Sequence, residues 1–379
     1  LGWQPLVLSI HPRAYDRTNI DLLSDVPTGT VVRRAFALDT ARHLSIGGRH
    51  IGAMARPDRW ISWRFDGVRT GQSMIDEWRP QAIWTTYPIA TAHRIGIELH
   101  RRTGLPWIAD FRDPMAQDDY PSDPKTWASF LAIEQEVFSR ASACLFTTPG
   151  AAAMYRDRYP QSAERIAVLE NGYDEDSFTG LPVGGAPIAP GKVTLLHSGI
   201  VYPDERDPRA LLAALARLRS SHPAIASQLR IRFRAAVHDD LLRRLATEAG
   251  VHDAVEVLPP IGYRDALAEM LRADGLLVLQ AANCNAQVPA KLYEYLRTRR
   301  PIIGLTDAAG DTAQVMRDAG VDVIAPLDNA EAIAALIARW WAQRADGKAP
   351  IATERAIAAA GRQARSVELS QWLNRLTAS

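Results

Sequence analysis

Short apolar runs alternate with helical patterns along almost the whole chain, and this alternation limits the folds available to it. In the first part, apolar runs typical of strands lie at residues 5–10, 82–86, 106–110, 143–147 and 166–169. In the second part they lie at residues 193–197, 229–235, 254–258, 275–280, 301–305 and 321–324. Strands that alternate with helices form parallel sheets covered by helices on both faces, so we predict an α/β fold.

A Gly/Pro-rich segment, residues 180–191, separates the two series of strands and is typical of a linker. We therefore predict one Rossmann-like doubly wound domain over residues 1–182 and a second over residues 190–348. Open sheets of this kind bind ligands beyond the carboxyl ends of their strands, so we expect the two domains to face each other across a cleft. A predicted strand follows Leu1 almost at once, and we expect the natural N-terminus to be missing.

Composition and charge exclude several classes of function. The chain carries 44 Lys+Arg and 43 Asp+Glu, and its net charge of +1 gives no overall field that would favour a nucleic acid partner. Its 2 cysteines, Cys144 and Cys284, lie far apart, and its histidines lack zinc-ligand spacing, so we predict no disulfide, metal or cofactor. There is no apolar run of about 18 residues and no signal peptide, so we expect a cytoplasmic protein.

The segment around Pro289 has the composition of a site for an anionic, hydroxyl-rich ligand. Pro289, two residues after Gln287, suits the first position of a helix. The free amides and the helix dipole at such a position attract phosphate. Lys291 adds a positive charge, and Glu294 lies on the same helical face as an acceptor for a sugar hydroxyl. The pair fits a nucleotide-sugar; the alternative is an ordinary amphipathic helix with a surface Lys and Glu.

Polar residues also follow other predicted strands, which favours a site over chance. In the first series these are Thr86, the run Asp110-Phe111-Arg112-Asp113-Pro114, and Asn171. In the second series Gly199 follows the first strand and leads to Arg206. Because the carboxyl ends of parallel strands meet at one edge of a sheet, we expect these residues to line the ligand cleft.

Taken in order, these motifs resemble those of the retaining glycosyltransferases of family 4. The matching stretches are Leu-Glu-Asn-Gly-Tyr-Asp at 169–174, His-Ser-Gly at 197–199, Arg-Asp-Pro at 206–208, Pro-x-Lys through Glu at 289–294 and Pro-Ile-Ile at 301–303. The resemblance implies the GT-B fold, with a nucleoside diphosphate sugar on the C-terminal domain and the acceptor on the N-terminal domain. It also implies that a last helix, within the segment 349–379, crosses back to the first domain.

The resemblance implies a donor site that departs from the family pattern at two positions. Donor binding is expected at Gly199, Arg206, Gln287, Lys291, Leu292 and Glu294. Glu294 matches the second glutamate of the family's Glu-x7-Glu motif, but Ala286 stands in place of the first. Ile200 stands where the family usually has an arginine, which leaves Arg206 as the expected diphosphate cation.

The same resemblance implies the catalytic and acceptor-side residues. Arg112 and Asp113 occupy the place of a His-Asp pair near the acceptor, and an arginine does not titrate near pH 7. We expect Asp113, Arg112 and Lys291 to be catalytic in a metal-independent transfer with retention of configuration; the alternative is that Asp113 only caps the segment that follows it. Thr86 and Asn171 are expected on the acceptor side or at a hinge. The Asp-x-Asp at 174–176 is interpreted as a turn and helix cap.

The run at residues 56–65 mixes arginine with aromatic residues, a composition that suits a membrane surface. The alternative is a structured loop packed on the first domain. A contact with the inner face of the membrane would suit a lipid-linked acceptor, as in bacterial polysaccharide assembly. A glycan acceptor would not require a membrane contact. Two other functions stay open: a nucleotide-sugar epimerase of similar architecture, and a nucleotide-sugar-binding module without turnover.

Overall fold

A computed structural model of the chain describes residues 1–16, 18, 26–44, 55–118, 120–182 and 186–378. It divides into two compact units, Leu1–Leu169 with Val367–Ser379, and Glu170–Ser366. Residues 170–182 and 349–366 therefore lie in the second unit, whereas the sequence placed domain limits at 182, 190 and 348. Backbone pairing explains this, because Tyr173 N donates to Ala360 O at 3.1 Å and Arg362 N donates to Tyr173 O at 2.8 Å.

The first unit contains two parallel sheets. Its strands are β1 (Leu6–Ile10), β2 (Val31–Ala35), β3 (Ile83–Thr86), β4 (Trp107–Arg112), β5 (Ala143–Phe146) and β6 (Ile166–Val168). One sheet has the order β1-β2 and the other the order β3-β4-β5-β6. The strand β2 was not predicted, because the exposed Arg33 and Arg34 interrupt its apolar run. Its backbone pairing with β1 forms the strand despite this weak sequence pattern.

Helices cover the sheets of this unit, and one buried carboxylate ties several of them together. The helices are α1 (Thr40–His43), α2 (Trp63–Trp78), α3 (Ala90–Thr103), α4 (Pro124–Arg140) and α5 (Pro149–Arg158). Glu134 of α4 is fully buried and accepts from Ala116 N at 2.7 Å, from Arg158 Nη1 at 3.1 Å and from Tyr159 Oη at 3.1 Å. A buried charge needs such partners, and these fix the segment that follows β4.

The second unit is a single six-stranded parallel sheet. Its strands are β7 (Val193–Ser198), β8 (Leu229–Arg234), β9 (Val255–Leu258), β10 (Gly275–Leu279), β11 (Ile302–Leu305) and β12 (Ile324–Ala325). Their order is β9-β8-β7-β10-β11-β12, and every neighbouring pair is parallel. The chain therefore begins at the centre of the sheet, winds to one edge and returns to wind to the other, which confirms the doubly wound α/β prediction.

The helices of the second unit follow its strands, as the sequence predicted. They are α6 (Glu175–Phe178), α7 (Arg209–Ser221), α8 (Pro223–Gln228), α9 (Asp239–Glu248), α10 (Tyr263–Arg272), α11 (Lys291–Arg297), α12 (Asp311–Asp318), α13 (Ala330–Ala345) and α14 (Glu354–Ala359). The helix α7 begins at Arg209, so Pro208 is the residue before the helix, and Asp207 Oδ1 accepts from Arg209 N at 3.0 Å.

The C-terminal segment forms two helices instead of one. Backbone pairing of residues 360–362 with Tyr173 separates α14 from α15 (Arg362–Thr377). In the first unit, Trp372, Leu373 and Leu376 of α15 pack on a small core under β4 and β5. Across the described ranges, every helix is too short or too polar to cross a bilayer.

Candidate functional site

The strand order of the second unit identifies where a ligand would bind. The chain reverses its winding direction between β7 and β10, and open α/β sheets bind ligands beyond the carboxyl ends of the strands at that reversal. Gly199 directly follows β7, and the segment that leads to α11 follows β10. The predicted donor residues therefore lie at the position that the topology favours.

Lys291 lies against the end of β7 and is held by a histidine. The Lys291 Nζ atom lies 3.2 Å from His197 Nε2, and His197 Nδ1 lies 3.0 Å from Leu277 O. A carbonyl only accepts, so Nδ1 carries the proton and Nε2 accepts from the ammonium group. His197 is buried, and burial together with the nearby Lys291 charge lowers its pKa well below 6.5. The imidazole is therefore neutral and orients the lysine.

Gly199 leaves the space that this lysine occupies. A Cβ atom at position 199 would lie 2.7 Å from Lys291 Nζ, and the glycine has a φ of 119°. Both the close approach and the left-handed backbone favour glycine. The His-Ser-Gly motif therefore has a structural role: His197 orients Lys291, and Gly199 leaves room for the lysine side chain.

Arg206 brings a second cation close to Lys291. Its Nη1 donates to Ile200 O at 2.6 Å, and its guanidinium lies 5.0 Å from the ring centroid of Tyr202. Burial and then the Arg206 charge lower the pKa of Lys291 to about 7, while Glu294 acts in the opposite direction. Two cations that repel each other in a partly desolvated position would be stabilised by a bound anion, so this place is a candidate anion site.

The helix that follows begins later than the sequence predicted. Pro289 was expected at the first helical position, but α11 begins at Lys291 and Ala290 is the residue before it. The Leu292 amide donates to Pro289 O at 2.9 Å, and the Tyr293 amide donates to Ala290 O at 3.2 Å. These two amides are already used, and α11 has only 7 residues. An anion at this place would therefore be attracted by the cationic side chains and not by the helix terminus.

Glu294 is placed to accept hydroxyl groups beside this anion site. The Tyr263 hydroxyl donates to Glu294 Oε1 at 2.7 Å, and burial raises the pKa of the Glu294 carboxyl above its usual value. Tyr263 was not predicted from the sequence, because it lies on α10, 31 residues away. At position 286 an alanine offers no carboxylate.

The two other predicted donor residues have structural contacts. Leu292 is fully buried in the core of the second unit. The Gln287 carbonyl accepts from Gln280 Nε2 at 2.7 Å and from Thr312 Oγ1 at 3.1 Å, while Gln280 Nε2 also donates to Cys284 O at 2.6 Å. Gln280 and Thr312, which the sequence interpretation missed, therefore hold the loop between β10 and α11 in place.

In the first unit, Thr86 and Asp110 meet at the carboxyl ends of β3 and β4. Thr86 Oγ1 donates to Asp110 Oδ2 at 2.9 Å. Burial raises the pKa of the Asp110 carboxyl to about 6, even though Thr86 and the Arg112 charge oppose the shift. A carboxylate with a pKa near the working pH suits proton transfer. Asp110 was part of the predicted strand-end run but was not selected as a site residue.

Arg112 and Asp113 lie in a sharp turn directly after Asp110. Arg112 has a φ of 59°, an uncommon value for a residue other than glycine, and Asp113 N donates to Phe111 O at 2.6 Å. Both residues are exposed. Asp113 does not cap the next helix, α4, because Asp123 is its N-cap residue.

Asn171 and the acidic cluster at 174–176 lie at the start of the second unit. Asn171 is half-buried and lies two residues before Tyr173, whose backbone pairs with residues 360–362. Asp174 caps α6, since its carboxylate accepts from Asp176 N at 3.2 Å, which agrees with the turn and cap interpretation. Among the residues that the structure describes, no group of three His, Cys, Asp or Glu side chains could hold a metal ion.

The aromatic run at 56–65 packs largely on the first unit. Trp60 Nε1 donates to Ala14 O at 3.2 Å, Trp63 is buried, and Asp58 Oδ2 accepts from Thr91 N at 2.7 Å. Phe65 is the exception, with 78% of its surface exposed. These contacts fit the structured loop that was weighed against a membrane surface.

Comparisons with known proteins give matches to glycosyltransferases. Residues 3–172 match the model of the glycosyl transferase 4-like domain. A curated protein, the D-inositol 3-phosphate glycosyltransferase of Stackebrandtia nassauensis, is 26% identical over 209 residues, which cover 47% of this chain and 43% of that protein. The match thus spans less than half the length of the curated relative.

Solved structures resemble the chain along nearly its full length. Anabaena HepE in complex with UDP has a TM-score of 0.69 at 12% identity and covers 98% of this chain and 100% of its own. HepE in complex with UDP-glucose has a TM-score of 0.65 at 13% identity and covers 94% and 88%. Sucrose-phosphate synthase from Thermosynechococcus elongatus has a TM-score of 0.64 at 15% identity and covers 93% and 85%. These likenesses show the GT-B fold for this chain, and residues 3–172 are similar to the glycosyl transferase 4-like domain.

Proposed function

We propose that this chain is a retaining glycosyltransferase that moves a hexose from a nucleoside diphosphate sugar to a glycan or lipid-linked acceptor. The observation that carries the proposal is Lys291, held by His197 against Gly199 and close to Arg206 at the winding reversal of the second sheet. The Anabaena neighbour was solved in complex with UDP and with UDP-glucose, which supports a UDP-sugar as the donor.

The proposed reaction breaks the bond between the sugar's anomeric carbon and the diphosphate oxygen. The electron pair leaves with the diphosphate, and Lys291 and Arg206 stabilise its charge without a metal. The acceptor hydroxyl bonds to the anomeric carbon on the face that the diphosphate leaves. Its proton passes to the departing diphosphate or to a carboxylate of the first unit, for which Asp110 is better placed than Asp113 because it is half-buried and hydrogen-bonded.

The donor site and the activity are tested separately. Binding of UDP, GDP, ADP and UDP-glucose is measured by thermal stabilisation of the protein, where a ligand at 100-fold its dissociation constant adds about 2.7 kcal/mol. Turnover is measured as release of UDP from UDP-glucose with and without candidate glycan and lipid acceptors. Acceptor-dependent release supports a transferase. Conversion of the sugar without acceptor indicates an epimerase, and binding without either reaction indicates a binding module.

Affinity for UDP-glucose is expected to fall as pH rises above 7. The pKa of Lys291 is lowered to about 7, so the ammonium form is full below pH 6 and falls about tenfold for each unit above 7. Both phosphates of UDP-glucose are diesters that keep a constant charge in this range. Calorimetric titration at pH 6, 7, 8 and 9 should show the affinity falling, and the Lys291→Met variant should show weak binding with no such slope. An unchanged affinity up to pH 9 would show that Lys291 does not contact the diphosphate.

A further inference from the structure

Tyr263 lies beside Glu294 and uses one oxygen of its carboxylate. It is the first residue of α10, and its hydroxyl donates to Glu294 Oε1 on α11 at 2.7 Å. Within the described ranges, the other oxygen, Glu294 Oε2, has no hydrogen-bond partner. A carboxylate oxygen accepts hydrogen bonds, so Oε2 can accept from a hydroxyl group of a ligand.

The start of α10 is fixed to the end of α6. Arg264 Nη2 donates to Thr179 O at 2.7 Å, and Arg264 Nη1 donates to Ser177 O at 3.3 Å. The Ser177 side chain is also a hydrogen-bond partner of the Tyr263 hydroxyl. These contacts hold the tyrosine beside Glu294 before a ligand binds. A contact that is already formed costs little ordering entropy when the ligand arrives.

Three groups keep Glu294 ionised against the effect of burial. Burial raises the pKa of the Glu294 carboxyl, while the Tyr263 hydrogen bond and the charges of Arg362 and Lys291 lower it. The Tyr263 hydrogen bond has the largest effect of the three. An ionised carboxylate accepts at both oxygens, whereas a protonated one must donate from one of them. Loss of the tyrosine hydroxyl would therefore weaken Glu294 as an acceptor.

The surroundings of Glu294 indicate which part of a UDP-sugar lies there. Lys291 lies three residues earlier on the same helical face, so a sugar joined to a diphosphate at Lys291 reaches Glu294. Next to Glu294, Tyr263 is 47% exposed, and Ile261, two residues before it, is 40% exposed. A nucleobase packs on exposed aromatic and apolar side chains of this kind. The ribose joins the base to the diphosphate, so the ribose is the sugar at Glu294.

We propose that Tyr263 is a positioning residue that makes donor binding selective for ribose over deoxyribose. Its hydroxyl fixes Glu294 Oε1, and Glu294 Oε2 then accepts from a ribose hydroxyl of the UDP-sugar. Without the tyrosine hydroxyl, the carboxylate rotates and accepts from water, so it distinguishes the two sugars less well. The inference rests on the proposed function, because it takes the diphosphate to bind at Lys291.

Calorimetric titration of the parent and the Tyr263→Phe variant tests this selectivity. The ligands are UDP-glucose and its analogues that lack the 2′ or the 3′ hydroxyl of the ribose. We expect the parent to bind UDP-glucose at least about tenfold more tightly than one of the two analogues. In Tyr263→Phe, the affinity for UDP-glucose should fall about tenfold and the preference should shrink to about threefold. An analogue that lacks the 2-hydroxyl of the glucose should be disfavoured equally by both proteins.

Tyr293→Phe is the matched control for this experiment. Tyr293 is the neighbour of Glu294 on α11, it is buried, and its hydroxyl has no hydrogen-bond partner in the part of the chain that the structure describes. Loss of that hydroxyl should leave affinity and preference within about twofold of the parent. If Tyr263→Phe behaves like Tyr293→Phe, the inference fails and the donor site stands. If the parent binds no UDP-glucose, the donor site fails and the inference fails with it.

The pH dependence separates positioning from a loss of packing. The charge on the phosphates of UDP-glucose is constant and Lys291 is protonated below pH 6, so a change of affinity in acid reports on Glu294. Affinity should fall as the pH falls through the pKa of Glu294. Because the tyrosine hydrogen bond lowers this pKa, the fall should begin at a higher pH in Tyr263→Phe. Titrations between pH 4.5 and 6.5 that show the same fall in both proteins would overturn the inference.

Discussion

Replacing Lys291 with methionine is expected to lower turnover of a UDP-sugar by about 10²- to 10³-fold, the usual effect of losing one group that stabilises a developing negative charge. Methionine keeps the length and apolar stem of lysine but removes the ammonium group that lies 3.2 Å from His197 Nε2. The leaving diphosphate would then be stabilised by Arg206 alone. UDP release in the presence of acceptor measures the loss, and calorimetry of UDP-glucose measures the change in binding.

A matched lysine in the same unit provides the control. Lys348 is exposed, and its replacement by methionine should leave turnover within about twofold of the parent, since surface changes seldom matter. Melting curves of both variants show whether the fold is kept. If Lys291→Met is folded and turns over like Lys348→Met, then the anion site is wrongly placed and the proposed donor site fails with it.

The contact between His197 and Lys291 shows which part of the site the sequence predicts and which part only the structure reveals. The motif at 197–199 pointed to a donor site, yet only the structure shows that the histidine accepts from Lys291 and that Gly199 leaves the room for it. His197 and Lys291 are 94 positions apart in the sequence, and the winding of the sheet brings them together. Sequence patterns report local spacing, so they could predict each element and not their contact.

The strands also show which elements a sequence pattern can predict and which it misses. Nearly all were predicted because their apolar runs are buried on both faces of parallel sheets. The strand β2 was missed because Arg33 and Arg34 are exposed there. The start of α11 was placed too early because Pro289 fits a first helical turn by itself, whereas the loop held by Gln280 and Thr312 delays the helix.

The choice between two carboxylates could not be made from the sequence at all. Asp110 and Asp113 lie in one strand-end run; the register of β3 and β4 pairs Thr86 with Asp110, and the positive φ of Arg112 turns the chain before Asp113. Strained backbone of this kind depends on tertiary contacts, here on Thr147, whose amide and hydroxyl both donate to Arg112 O at 3.1 and 2.8 Å. Structure therefore favours Asp110, and a pair of matched variants tests that choice.

Replacing Asp110 with asparagine is expected to lower turnover by about 10²-fold or more, as for loss of a group that transfers a proton. The pKa of the Asp110 carboxyl is raised to about 6, so the parent enzyme should lose activity as pH falls below 6, when this carboxylate is protonated. The Asp110→Asn variant should lack that acidic decline. Turnover between pH 5 and 8, at saturating donor and acceptor, measures both effects.

Asp113→Asn is the matched control, because it makes the same chemical change three residues away on an exposed side chain. It should keep turnover within about threefold and keep the acidic decline. Melting curves of both variants show whether a defect at Asp110 comes from loss of folding. If Asp113→Asn loses much more turnover than Asp110→Asn, the carboxylate that transfers the proton is Asp113, as the family resemblance implied.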